Sequence, residues 1–249
     1  MYSEFSAAQK NWDRLAEDDP LWVVLTAADK KGGGWDPEEF FATGVKEVGE
    51  LMAHAALLNV EMARERALDF GCGVGRLTQG LCQYFDEVVG IDISRRMIDL
   101  ARRYNRYGDR CRYFVNAKGD LRQFSDRSFD FVVSMITLQH IPPEHTVRYI
   151  EEFLRVLRRG GFLVFQMPGR PTKFSLRMRV LARRIMPSPL LRLYRKIRYG
   201  DVPRIEMYGI KREKMIAILE GLGARILDVR PDGRARVEWE SFTYWVRKP

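Results

Sequence analysis

The chain has 249 residues, 46% hydrophobic and 30% charged, with a formal net charge of +9 at pH 7. This is the composition of one globular domain, or one domain with an appendage, and it excludes disorder, collagen and coiled coil. The longest apolar runs, Phe129 to Met135 and Gly161 to Met167, fall far short of the roughly 18 apolar residues that a membrane-spanning helix needs. The surplus charge is local. Between Gly169 and Arg204 eleven Lys or Arg meet one acid, Asp201, and over the rest of the chain bases and acids nearly cancel. The cysteines Cys72, Cys82 and Cys111 form no CxxC pair, which predicts reduced thiols, no disulfide framework and no metal site. The start, Met1 to Phe5, shows neither the basic nor the apolar part of a secretory signal, so the expected location is cytoplasmic.

Residues 1–60 read as a helical cap. Ser3 to Leu15 places Phe5, Trp12 and Leu15 among polar residues, Asp19-Pro20 interrupts, and Gly32 to Gly34 make a loop. Asp36-Pro37-Glu38-Glu39 predicts a helix start with Asp36 as N-cap, Pro37 in the first position and Glu39 placed to complete a capping box. That helix runs to about Leu58, and the spacing of Trp35, Phe40, Phe41 and Gly44 on it favours plain core.

From residue 61 to 168 short apolar runs alternate with amphipathic windows. Strands are predicted at 67–70, 87–91, 112–115, 129–134 and 162–166, and helices at 76–84, 95–107 and 144–157. Residues 169–204 break the pattern and read as a basic helical insert interrupted at Pro187 and Pro189. Residues 205–249 then give a helix at 211–222, a strand at 224–229, a turn at Pro231-Asp232-Gly233 and a strand at 237–246, which the short turn makes antiparallel. The expected fold is therefore a single α/β domain with a doubly wound, mostly parallel seven-stranded sheet and a C-terminal antiparallel hairpin.

The chemistry concentrates in Leu68-Asp69-Phe70-Gly71-Cys72-Gly73-Val74-Gly75-Arg76, a strand that runs through glycines into a helix. Glycines allow a tight turn and close approach of a ligand, and helix-start amides offer donors to it. The spacing is GxGxG and not the GxGxxG of a dinucleotide site, and Asp69 just ahead of it disfavours a pyrophosphate while favouring an ammonium. About 20 residues on, Asp92 in Gly90-Ile91-Asp92-Ile93-Ser94 ends the next strand, where an acid accepts bonds from ribose hydroxyls; the competing reading makes it a helix cap, a role Ser94 also fits.

Together these residues resemble the class I S-adenosylmethionine-dependent methyltransferases. Further segments carry the resemblance: Asp126 to Ser134 looks like that family's fourth-strand motif, Leu138 to Pro143 like the stretch after it, and Arg155 to Leu163 like the turn into the fifth strand, with Gly160 and Gly161 closing the helix. The resemblance implies S-adenosyl-L-methionine as cofactor. Asp69, Gly71 and Gly73 would surround its methionine end, Asp92 would hold the ribose with Ile93 and Met97 against the adenine, and Cys72 and Ser134 would be further cofactor-binding residues. After the third strand the chain departs from the family's Gly-Asp pair. Either Asn116 or Asp120 is able to take the adenine amino group there, with Asp120 and the backbone of Leu121 favoured.

Methyl transfer needs no covalent nucleophile, because the sulfonium already activates the methyl group. For a hydroxyl acceptor a base adds rate, and His140, after the fourth strand, is the candidate against a structural role; His54 and His145 receive none. The N-terminal helix, with its aromatics, is a candidate lid over the cofactor, and Tyr208 and Tyr244 are candidates for the acceptor pocket. The expected activity is transfer of a methyl group to a small or medium-sized acceptor, through oxygen, on an anionic glycan, lipid-linked or natural-product substrate that the basic insert would meet. The alternatives are a nucleic-acid methyltransferase, disfavoured because Ser134-Met135-Ile136-Thr137 is not an Asn/Asp-Pro-Pro-aromatic box, a peripheral membrane protein docked through 169–204, and a non-catalytic cofactor binder.

Overall fold

The computed structural model describes residues 2–59, 61–174, 205–235 and 238–249, with positions 178, 180, 181, 186 and 190. The predicted amphipathic insert lies mostly outside the described residues, and so does the assignment of a membrane or substrate face to it.

The chain opens with helices α1 (Tyr2–Asp18), α2 (Pro20–Val24) and α3 (Pro37–Leu57). Asp19 caps α2 by accepting from the Trp22 amide, and Asp36 caps α3 by accepting from the Glu39 amide at 3.0 Å. The Glu39 carboxylate does not complete the capping box; it turns to the Lys30 ammonium at 2.6 Å, an ion pair that a long side chain reaches more easily than its own cap.

The core then alternates as expected: β1 (Arg66–Phe70), α4 (Arg76–Leu81), β2 (Glu87–Asp92), α5 (Arg95–Tyr104), β3 (Cys111–Val115), β4 (Phe129–Ser134), α6 (Pro143–Val156), β5 (Leu157–Pro171), α7 (Arg212–Gly221), β6 (Arg225–Pro231) and β7 (Trp239–Arg247). The sheet order is β3-β2-β1-β4-β5-β7-β6, parallel except where β7 runs antiparallel to both β5 and β6. Order reverses between β1 and β4, the position where open α/β sheets bind ligands outside their carboxyl ends.

Strand β5 is three times the predicted length. Gly160 and Gly161 do not close the preceding helix, which ends at Val156; they sit in an irregularity of β5 where Phe129 pairs with Leu157 but Phe131 with Phe162. The backbone bond from Gly160 to the Lys248 carbonyl and the pairing with β7 hold this stretch extended.

Two cores flank the sheet. Leu68, Val132, Leu163, Phe165 and Tyr244 face α6 and α7, and Ala67, Val133, Phe131, Val164 and Trp245 face α3 and α4. A third cluster joins Ala16, Leu21, Phe40 and Phe41 of the cap to Val74 and Met97. Among the described residues no helix is long and apolar enough to cross a membrane.

Candidate active site

The glycine turn follows β1 and bends through positive φ at Gly71, Gly73 and Gly75. At Gly73 (φ +54°) a Cβ would meet Val24 Cγ2 at 2.6 Å, so both backbone and space require glycine there. The turn is tied down from inside: the Gly71 and Cys72 amides both donate to the Ile91 carbonyl (2.8 and 3.0 Å), Gly75 donates to Cys72, and Gly73 donates to Asp92 Oδ2 at 3.0 Å. These four donors are therefore engaged within the protein, while the donors expected for a ligand are those at the start of α4, which begins at Arg76. A tight turn satisfies its own amides first.

Asp92 ends β2 and accepts from two amides, Gly73 through Oδ2 and Ser94 through Oδ1 (2.8 Å). Ser94 is the cap of α5, receiving the Met97 amide at 3.1 Å, so the two roles that the sequence left open fall on different residues. Asp92 stays partly exposed, and burial raises its carboxyl to about 6 against those two amides. Asp69 is buried, accepts from the Thr78 hydroxyl at 2.7 Å and is pushed up to about 7 by burial. Cys72 is buried with its thiol raised by burial, and that thiol donates to the Gly73 carbonyl at 3.5 Å.

The other candidates are distributed around this edge. The Ser134 hydroxyl is fully buried and donates to the Phe70 carbonyl at 3.2 Å, linking the ends of β4 and β1. Ile93 is partly exposed and its carbonyl accepts Gln9 Nε2. Met97 is buried beneath the cap in the third cluster. Asn116 is buried, its backbone amide bonds Asp92, and its Nδ2 has no partner among the described residues. The favoured alternative fares differently: the Leu121 amide already donates to Glu152 at 2.7 Å, its carbonyl accepts from Arg155, and Asp120 turns to the Arg122 amide.

The cap covers this edge by α1 and α2. Asp13 accepts from the Ser94 hydroxyl at 2.6 Å, Phe5 lies against Gly119 and His145, and Trp12 packs edge-on against His140 with ring centroids 5.3 Å apart. Phe40 and Phe41 are core, as their spacing favours, so they do not face outward as lid aromatics.

Beyond β4, Ile136 adopts φ +59°, a conformation costly for a β-branched residue. Its strain places Thr137 against Gly71, whose carbonyl accepts the Thr137 hydroxyl at 3.3 Å. One turn later His140 Nδ1 donates to the Glu206 carbonyl at 2.7 Å, and its Nε2 lies 3.1 Å from Gln139 Nε2. Tyr208 joins this group through its amide, bonded to the Gln139 carbonyl. Tyr244 is buried against Phe165 on the opposite face of the sheet. Sequence reading did not anticipate Ile136, Gln139 or Gln166; an isolated Gln carries no local signal.

Residues 67–161 match the family model described as a methyltransferase domain. The chain is similar to a tRNA N(3)-methylcytidine methyltransferase of Drosophila melanogaster, 34% identical over 145 residues that make up 55% of this chain and 43% of that protein. It is also similar to a ubiquinone biosynthesis O-methyltransferase of Xanthomonas euvesicatoria, 31% identical over 119 residues, 47% of this chain and 49% of the other. The chain spans about half the length of the curated relatives it matches. Among solved structures, the magnesium protoporphyrin IX methyltransferase of Synechocystis with bound SAH is similar in fold, with a TM-score of 0.64 at 18% identity over 98% of this chain and 99% of that one.

Proposed function

For a chain whose residues 67–161 make it a class I S-adenosylmethionine-dependent methyltransferase, we propose transfer of a methyl group to the hydroxyl of a small or medium-sized acceptor. The whole of 1–249 acts in this reading as one domain, with 1–60 as cap. The observation that carries it is Asp92, held by the Gly73 and Ser94 amides at the carboxyl end of β2 beside the switch in strand order. A carboxylate so placed accepts the paired hydroxyls of a ribose.

The residues suit the cofactor at three further points. Asp69, whose carboxyl is costly to ionise in the free protein, gains from a nearby ammonium such as that of the methionine end. Asn116 Nδ2, buried and unpartnered, would donate to a ring nitrogen of adenine, so Asn116 is preferred to Asp120 and Leu121 for that base. Ile93 would line the base from the α5 side. When bound, S-adenosylmethionine supplies the activated methyl group. The protein's own part is to hold the acceptor in line and exclude water, which α1 does by closing over Ser94 and His140. His140 Nε2 is engaged by Gln139, so we assign it an orienting role ahead of that of base.

The test is calorimetric titration with S-adenosylmethionine and S-adenosylhomocysteine. Micromolar binding is expected, weakened at least about tenfold in Asp92→Ala, which removes the ribose acceptor. Folded wild-type protein that binds neither would end the reading.

A further inference from the structure

Gln166 lies on β5 at the level of the glycine turn. Asp69 is in register with Val133 and Val133 with Val164, so Gln166, two residues beyond Val164, points to the same sheet face as Asp69. It is displaced from β1 by two strand spacings, roughly 10 Å. It is fully buried, and its Oε1 has no hydrogen-bond partner among the described residues.

The orientation of that oxygen follows from chemistry. The Glu206 carbonyl only accepts, so His140 Nδ1 carries a proton, and in the neutral form of the ring Nε2 is then an acceptor. Gln139 must then turn its Nε2 to the histidine and its Oε1 to Gln166. Gln166 must in turn present Nε2, which meets Gln139 Oε1 at 3.3 Å and Ser241 Oγ at 2.6 Å. Five residues from four segments thus leave one carbonyl oxygen, already desolvated, with nothing to accept from among the described residues. A buried acceptor without a partner weakens the free protein and strengthens whatever donor arrives.

We propose that Gln166 selects the methyl acceptor: its Oε1 takes a hydrogen bond from an O–H or N–H carried by that molecule, in a polarity that His140 imposes through Gln139. This rests on the proposed function and deepens it, because it requires the acceptor to be a hydrogen-bond donor at a neutral group beside the cofactor. Gln166 is a specificity residue, and Gln139 and His140 position it.

A matched pair of probes tests the proposal, phenol and anisole, which differ by the donor hydrogen and one methyl group. Binding of each to the protein saturated with S-adenosylhomocysteine is followed through the ¹⁵N-labelled backbone amides of β5, which are present in the wild type and in every variant. Phenol is expected to bind at least about tenfold more tightly than anisole, and Gln166→Leu to reduce that ratio to about one while leaving S-adenosylhomocysteine affinity within about twofold. Gln139→Leu, which frees the amide to rotate, is expected to shrink the ratio without abolishing it and to change the ¹⁵N tautomer signature of His140. Equal binding of the two probes, a ratio that survives in Gln166→Leu, or failure of both probes to bind at millimolar concentration overturns the proposal. Loss of S-adenosylhomocysteine binding by the wild type strikes the proposed function instead. Should Gln166→Leu not fold, Gln166→Glu keeps the shape and an acceptor oxygen but removes the donor to Gln139. It is expected to retain preference for phenol; preference for anisole would overturn the proposal.

Discussion

Asp69 and Asp92 sit within one turn of the glycine loop, and both hold their protons above the ordinary carboxylate range, to about 7 and about 6, chiefly because burial penalises the charge. An unfolded aspartate releases its proton near pH 4. Between that pH and the folded values the folded state binds more protons, so the stability tied to these groups is full below about pH 4 and is lost as pH rises through 6 and 7. The thermal midpoint of the ligand-free protein is therefore expected to fall across that window, and Asp69→Asn to flatten its upper part. A ligand ammonium reverses the preference by favouring the charged carboxylate. Binding of S-adenosylhomocysteine near pH 6.5 is expected to release up to about one proton, seen as a binding enthalpy that varies with the ionisation enthalpy of the buffer. A buffer-independent enthalpy would show that no cation comes to rest beside Asp69.

Helix α3 meets α4 at a contact that only glycines allow. A Cβ on Gly44 would fall on the Arg76 carbonyl, and one on Gly80 would meet the Gly44 carbonyl at 2.9 Å. The approach lets Arg76 reach Glu47 at 2.7 Å, and Glu47 in turn binds Arg234, which pairs with Asp232 at the β6–β7 turn. Gly44→Ala is expected to lower stability by about 1–3 kcal/mol in urea unfolding, through overpacking against backbone that cannot yield. Gly221→Ala, with open space around it, is the control. Elements of this kind divide by how local their causes are. Strands β1 to β4 were readable because Val, Ile and Phe cluster in short runs, and α3 because Asp36-Pro37 marks its start. The extension of β5 was not, because Arg158 to Gly161 reads as a turn until β7 is laid beside it. The site divides likewise. Asp69 and Asp92 show in the sequence through their spacing from the glycines, whereas Gln139 and Gln166 meet only when the short helical turn Leu138–His140 and β5 neighbour each other after folding. The donation by the Leu121 amide to Glu152, which argues against Leu121 as a base contact, also depends on a residue 31 positions away.

Charge is divided between one segment and a neutral remainder, and that division bears on the proposed methyl acceptor. Positions 169–204 carry a net +10 in the stretch that follows β5 along the chain. A field of that size acts over about 8–10 Å at physiological salt, so it bears on an acceptor that comes within that distance of the segment. Two kinds of acceptor would respond to it differently. A small anion makes one or two charge contacts, whereas a nucleic acid strand releases counterions at every phosphate it surrenders, with a slope of log affinity against log salt near −0.7 per contact for single strands. Nucleic acid is the alternative that the basic segment raises. If the acceptor is small, a 20-nucleotide oligouridylate is expected to bind weakly, with a salt slope no steeper than about −2, and labelled methyl from S-adenosylmethionine is not expected to enter total tRNA. A slope steeper than about −4 together with label in tRNA would move the acceptor to nucleic acid. Asp92 would keep its place in either case, because the cofactor is common to both. Gln166 would then be read against a base or ribose donor of the strand, since its oxygen asks only for a hydrogen and leaves the size of the molecule to the segment that guides it in.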